Sequence, residues 1–201
     1  LRGEGPHPIA DVVEYVTQAC DAIGEAHRMG IVHRDLKPSN LFLTRRNDGS
    51  PLVKVLDFGI SKAFQQAALE GTLTTSRTLI GSPMYMSPEQ IRDPKAVDAR
   101  SDIWSIGIIL HQLLTGKPAF SADSLPGVCA AIAADPPAST RERRSDVPEA
   151  PEGVIHKWLE KRPDARFQSV EALCSALAPF GLRAPVSGPG NRLRPEPQPE
   201  P

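Results

Sequence analysis

The sequence predicts a mainly α-helical domain with one small β-hairpin set into it. Three observations predict this. Apolar residues recur at three-four spacing between Pro8 and Met29, and a strongly apolar run fills 99–116. Two β-rich runs, 41–44 and 52–57, flank a segment containing Asn-Asp-Gly. The 201 residues suit one domain with a real core.

The first helix rests on Ile9, Val12, Val13, Val16, Ala19, Cys20, Ile23 and Ala26, one face of a 3.6-residue period, with Gly30 to close it. IVH at 31–33 reads as a short β-like run entering the polar octapeptide HRDLKPSN. LFLT (41–44) and LVKVLD (52–57) read as the arms of a hairpin, turned by RRNDGSP. Residues 60–88 carry no sustained period and are rich in Thr, Ser and Gly, the mark of a functional loop. ARSDIWSIGIILHQLLTG (99–116) is apolar around much of its circumference, which predicts a central buried helix stopped by Gly116 and Pro118. Weaker helices are expected at about 124–134, 152–161 and 168–178. From Gly181 onward Pro, Gly, Arg and Glu predominate, so 181–201 is expected to be disordered.

Composition excludes several classes of function. A net charge of −1 provides no global field toward nucleic acid. Cys20, Cys129 and Cys174 are far apart in sequence and form no CxxC pair, which speaks against a disulfide framework or zinc site and for a reducing cytoplasm. The five histidines lack ligand spacing, and no apolar run reaches the length of a membrane span. The RERR run at 141–144 reads as a solvated surface or as a dock for an acidic partner, and His111 as a packed or hydrogen-bonded residue. The first residue is Leu1, which suggests a piece of something longer.

Phosphoryl transfer needs an acceptor for a hydroxyl proton, a cation near the moving phosphate and oxygen ligands for magnesium. Asp35, Lys37 and Asn40 supply these types within six residues. Twenty-two residues beyond Asp35, at the end of the second β-rich run, stands Asp57-Phe58-Gly59. A hairpin brings its ends together, so Asp57 can return beside Asn40 and two oxygen ligands can converge.

HRDLKPSN followed by DFG resembles the catalytic and magnesium-binding loops of the protein kinase superfamily. SPE (87–89), DIWSIG (102–107) and RPDARF (162–167) resemble further motifs of that family in the same order, over roughly residues 1–180. Lys37, two residues after Asp35, matches the serine/threonine pattern, and IVHRDLKPSNLFL is similar to bacterial Hanks-type kinases. The resemblance implies ATP and magnesium, or manganese in its place, as cofactors and protein Ser/Thr hydroxyls as acceptors. It implies that Asp35 orients the hydroxyl and takes its proton, Lys37 offsets phosphate charge, and Asn40 and Asp57 hold the metal. Arg34 would dock a phosphate on the activation loop, with Thr72, Thr74, Thr75, Ser76 and Thr78 all open as its site. Ser82 would bridge Asp35 and Lys37. His33, Gly59, Glu89, Asp102 and Arg166 would be structural support, Glu89 and Arg166 as a buried ion pair and Asp102 as a brace for the catalytic loop.

The same resemblance exposes an omission. A kinase small lobe provides a glycine-rich loop, a strand lysine and a helix glutamate, and none of these can be found in the 201 residues. LRGEGPHP at the start instead resembles the linker where the large lobe begins. The expectation is a large C-terminal lobe without its N-terminal β lobe, inactive alone. Its uncovered interface would be apolar and would receive that lobe or another chain. The alternative is a non-catalytic lone-lobe or pseudokinase binding module.

Overall fold

A computed structural model describes residues 5–58 and 83–181. The expectations for Gly59, Thr72, Thr74, Thr75, Ser76, Thr78, Ser82 and the tail beyond Gly181 therefore lie outside the described residues. The chain runs α1 (Ile9–Arg28), β1 (Leu41–Arg45), β2 (Pro51–Val55), α2 (Pro88–Arg92), α3 (Ala99–Thr115), α4 (Leu125–Ala134), α5 (Thr140–Arg143), α6 (Glu149–Trp158) and α7 (Val170–Leu177). Short 3-10 turns lie between several of them.

α3 is the axis of the core. Asp98 caps its start by accepting the Arg100 N–H, and Gly116 ends it at φ 69°. Every residue from Ser101 to Thr115 except Gln112 is buried, as the unbroken apolar run predicted. α1, α5 and α6 pack against α3, and α7 closes over α1. Trp104 of α3 stacks on Phe120 with ring centroids 5.8 Å apart, and the Lys161 ammonium sits 4.1 Å from the Phe120 ring centre.

The hairpin is antiparallel, with Leu41 opposite Val55 and Arg45 opposite Pro51. Asp48 shapes its turn by accepting both the N–H and the hydroxyl of Ser50 at 2.9 and 2.6 Å. β2 lies against α1, where Gln18 accepts the Val53 N–H at 2.9 Å and donates to the Pro51 carbonyl at 3.2 Å. A helix side chain thus satisfies a sheet edge that would otherwise stay unpaired. Phe42, Leu43 and Leu56 remain exposed on this hairpin and just beyond it.

Several elements differ from the sequence reading. Residues 31–33 form no strand, because the His33 and Arg34 N–H groups bond to a carboxylate. The helix expected at 152–161 runs from Glu149 to Trp158 instead. Pro151 falls in its first turn, where a missing N–H has no helical partner to lose. The short helices α2 and α5 were not foreseen. The RERR run is partly structural: Arg143 donates to the Pro118 carbonyl at 2.6 Å, and Arg144 to the carbonyls of His7 and Leu114. Cys20 and Cys174, far apart in sequence, line one cavity where α1 packs on α7.

Candidate active site

The segment from Gly30 to Lys37 is irregular, and its polar backbone is satisfied from α3 and α2. Asp102 is fully buried; its Oδ2 accepts the His33 N–H at 2.8 Å and its Oδ1 the Arg34 N–H at 2.9 Å. His27, from the last turn of α1, reaches the same Oδ2 through Nε2 at 2.8 Å. Gln90 of α2 donates to the Arg34 carbonyl at 2.8 Å. Three elements thus converge on one stretch of backbone.

That stretch holds Arg34 at φ 66°. A left-handed conformation costs a residue with a β-carbon roughly 1–2 kcal/mol, and bonds on both sides of Arg34 hold it there. Asp57 is the other described residue with a β-carbon at positive φ, at 54°. Such strain clusters where a chain must aim side chains. Here one strained residue lies inside the polar octapeptide and the other two positions past the end of the hairpin.

The side chains of the octapeptide are tied to one another. Lys37 Nζ donates to Asp35 Oδ2 at 2.9 Å, and both groups are partly accessible to solvent. Asn40, on a 3-10 turn that starts at Pro38, donates through Nδ2 to the Asp35 carbonyl at 3.0 Å. A carbonyl only accepts, so the amide nitrogen must face it, and that fixes the orientation of the amide. The hairpin continues one rung past its last paired residues: the Leu56 N–H donates to the Asn40 carbonyl at 2.8 Å. Asp57 follows immediately and is exposed.

His33 couples the two loops. It is fully buried, its Nδ1 accepts the Asp35 N–H at 3.3 Å, and its Nε2 faces the Leu56 carbonyl at 3.0 Å. Those partners require a neutral ring protonated on Nε2. Its face packs on Phe58 with centroids 4.9 Å apart. One imidazole therefore sets the loop around Asp35 against the segment that carries Asp57.

Behind the site, Arg166 grips Glu89 in a fork, with two N–H···O bonds of 2.7 Å each. Ser101 adds a hydroxyl to Glu89 at 2.8 Å. Arg166 also donates to the carbonyls of Arg100, Glu160 and Lys161. Burial pushes the Glu89 carboxyl up, but the Arg166 hydrogen bonds and charge outweigh this and hold it below the usual range. Burial beside this cluster brings the Lys161 amine down to about 8.

The structure thus joins Asp35, Lys37 and Asn40 directly, links His33 and Arg34 to Asp102, and pairs Glu89 with Arg166. His27, Gln90 and Ser101 went unread in the sequence. Each acts through a partner at least 12 positions away, and no local pattern marks such a contact.

A family model described as protein kinase domain matches residues 1–177. The chain belongs to the protein kinase family. Its helical body and hairpin are those of a kinase large lobe, and its likeness runs to bacterial serine/threonine kinases. Serine/threonine-protein kinase Pkn1 of Myxococcus xanthus is 43% identical over 166 residues, which make up 83% of this chain and 23% of that kinase. PknB of Mycolicibacterium smegmatis is 37% identical over 169 residues, 84% of this chain and 26% of that kinase. PknB of Mycobacterium tuberculosis is 34% identical over 189 residues, 94% of this chain and 29% of that kinase. The chain spans about a quarter of the length of these curated relatives. Among the described residues of this kinase chain, no helix is long and apolar enough to cross a membrane.

Proposed function

We propose that the chain supplies the large-lobe half of a serine/threonine protein kinase site, which transfers the ATP γ-phosphate to protein hydroxyls. The observation that carries this reading is the rung from the Leu56 N–H to the Asn40 carbonyl, which returns Asp57 to the octapeptide. The donor set fits magnesium, since an amide oxygen and a carboxylate are hard oxygen ligands that leave room for phosphates and water. Asn40 Oδ1 and the Asp57 carboxylate would hold the metal, which when bound offsets charge on the phosphates.

The remaining work falls to the chain. Asp35 accepts the proton of the attacking hydroxyl at a carboxylate oxygen and so orients the nucleophile. Lys37, already against Asp35, offsets negative charge on the transferring group. Arg34 is available to a phosphate on the activation segment, so that phosphorylation of one of the hydroxyls between Thr72 and Thr78 would order that segment. His33, Asp102 and His27 keep this geometry without touching substrate.

Substitution of Asp35 in a version that carries a complete nucleotide cleft tests the reading. Asp35→Asn lowers phosphate transfer by about 10²–10⁴-fold or more, with ATP affinity and melting temperature nearly unchanged. Retained transfer would overturn the role of Asp35. The 201 residues contain no glycine-rich strand–loop–strand pattern, so alone they bind ATP weakly and turn over negligibly; micromolar affinity in a calorimetric titration contradicts that. The exposed Phe42, Leu43 and Leu56 favour a second reading, a non-catalytic module that docks a partner. In that case Asp35→Asn leaves the biological readout untouched.

A further inference from the structure

Cys20 of α1 and Cys174 of α7 face each other across the seam between those helices. Both thiols are free, and the two helices that carry them pack against each other. The two cysteines line one cavity of about 450 Å³ together with Asp21, Gly24 and Glu171. Cys20 is only 1% exposed, whereas Cys174 is half-buried and opens to the surface. One turn along α1 from Cys20, Gly24 meets the residues one turn back on α7. A β-carbon at Gly24 would lie 3.0 Å from Glu171 Oε1 and 3.1 Å from Val170 Cγ2. The absent side chain lets the two backbones approach closely. A disulfide needs such an approach, since it spans at most about 7 Å between α-carbons.

We propose that Cys20 and Cys174 are a redox-responsive dithiol that closes to an intramolecular disulfide on exposure to a peroxide, stapling α1 to α7. The Cys174 sulfur, as thiolate, attacks one peroxide oxygen; the O–O bond breaks, Cys174 becomes a sulfenic acid, and the departing hydroxide takes up the thiol's proton as water. Cys20 sulfur then attacks Cys174 sulfur, the S–O bond breaks, and hydroxide leaves with the Cys20 proton as a second water. Two thiols are oxidised and one peroxide is reduced to two waters. A small dithiol reverses the step by exchange.

The division of labour follows from the surroundings. The neighbouring Cys20 thiol holds the Cys174 thiol below its usual range, which suits the more accessible member for attack. The neighbouring Cys174 and burial push Cys20 well up, which suits the member that waits. Cys20 lies about two turns before His27 on the same helix, so the staple anchors the helix that supports Asp102.

The full chain is treated with hydrogen peroxide, quenched with an alkylating reagent under denaturing conditions, and digested with trypsin without reductant. The expected product has lost two hydrogens and joins peptide 3–28 to peptide 167–183. The link disappears with dithiothreitol, is retained in Cys129→Ser and is absent in Cys174→Ser. Any other fate of the thiols overturns the proposal: alkylated Cys20 beside sulfinic or sulfonic Cys174, or links only between chains. The unsubstituted protein and Cys129→Ser decide the matter even where a substitution at the buried Cys20 prevents folding.

Discussion

Asp102 divides two carboxylate oxygens among three partners, the His33 and Arg34 N–H groups and the His27 imidazole. An asparagine offers one acceptor oxygen and turns an NH₂ toward a backbone N–H, which can only donate. Asp102→Asn is therefore expected to cost about 1–3 kcal/mol, read as a lower urea midpoint with an unchanged slope. The grouping of Asp35, Lys37 and Asn40 was legible because they sit in one octapeptide, and the return of Asp57 because a hairpin precedes it. His27 was not legible. It lies on an amphipathic helix like any other polar residue near a C-terminus, and its role depends on Asp102, 75 positions away.

Among the elements, α3 shows how tightly the helices fit. A β-carbon at Gly107 would meet Leu159 Cδ2 and the Trp158 ring at 3.0 Å, against side chains that are themselves buried. Gly107→Ala is expected to destabilise by about 1–3 kcal/mol through overpacking, seen as a lower melting temperature. His111 on the same helix is buried, and its Nε2 donates to the Ala138 carbonyl at 2.9 Å. Burial pushes its pKa below the ordinary value. The unfolded chain then binds the proton more readily, so His111 costs stability as pH falls below about 6.5. His111→Gln keeps a donor for Ala138, and melting curves at about pH 5 and about pH 7 should differ less for it than for the parent. Long periodic helices were easy to read, but the end of α6 was not. The chain leaves the helix after Trp158 so that the carbonyls of Glu160 and Lys161 can turn to Arg166, a demand set by a residue in another segment.

For the whole molecule, the bond between Glu89 and Arg166 ties α2 to the closing part of the described chain. Glu89→Gln leaves a buried guanidinium without its counter-charge and is expected to cost about 3–5 kcal/mol. Replacing both residues with apolar ones of similar volume should cost far less, and chemical denaturation of the two variants distinguishes these outcomes. The lowered carboxyl means that this contribution is complete above about pH 4.3, the ordinary glutamate value, and fades as pH falls further through the folded-state value. The global architecture was legible because the motifs stand in order along the chain. Meetings such as Cys20 with Cys174 depend on how helices cross, and spacing does not encode that. Asp102 stands on a helix enclosed almost entirely by other parts of the protein. Amide protons from Ile103 to Leu110 should accordingly trade for deuterium only when the entire domain opens. The scaffold beneath Asp35 is then as durable as the fold itself, while Lys37 and Asp57 stand on the side that meets solvent.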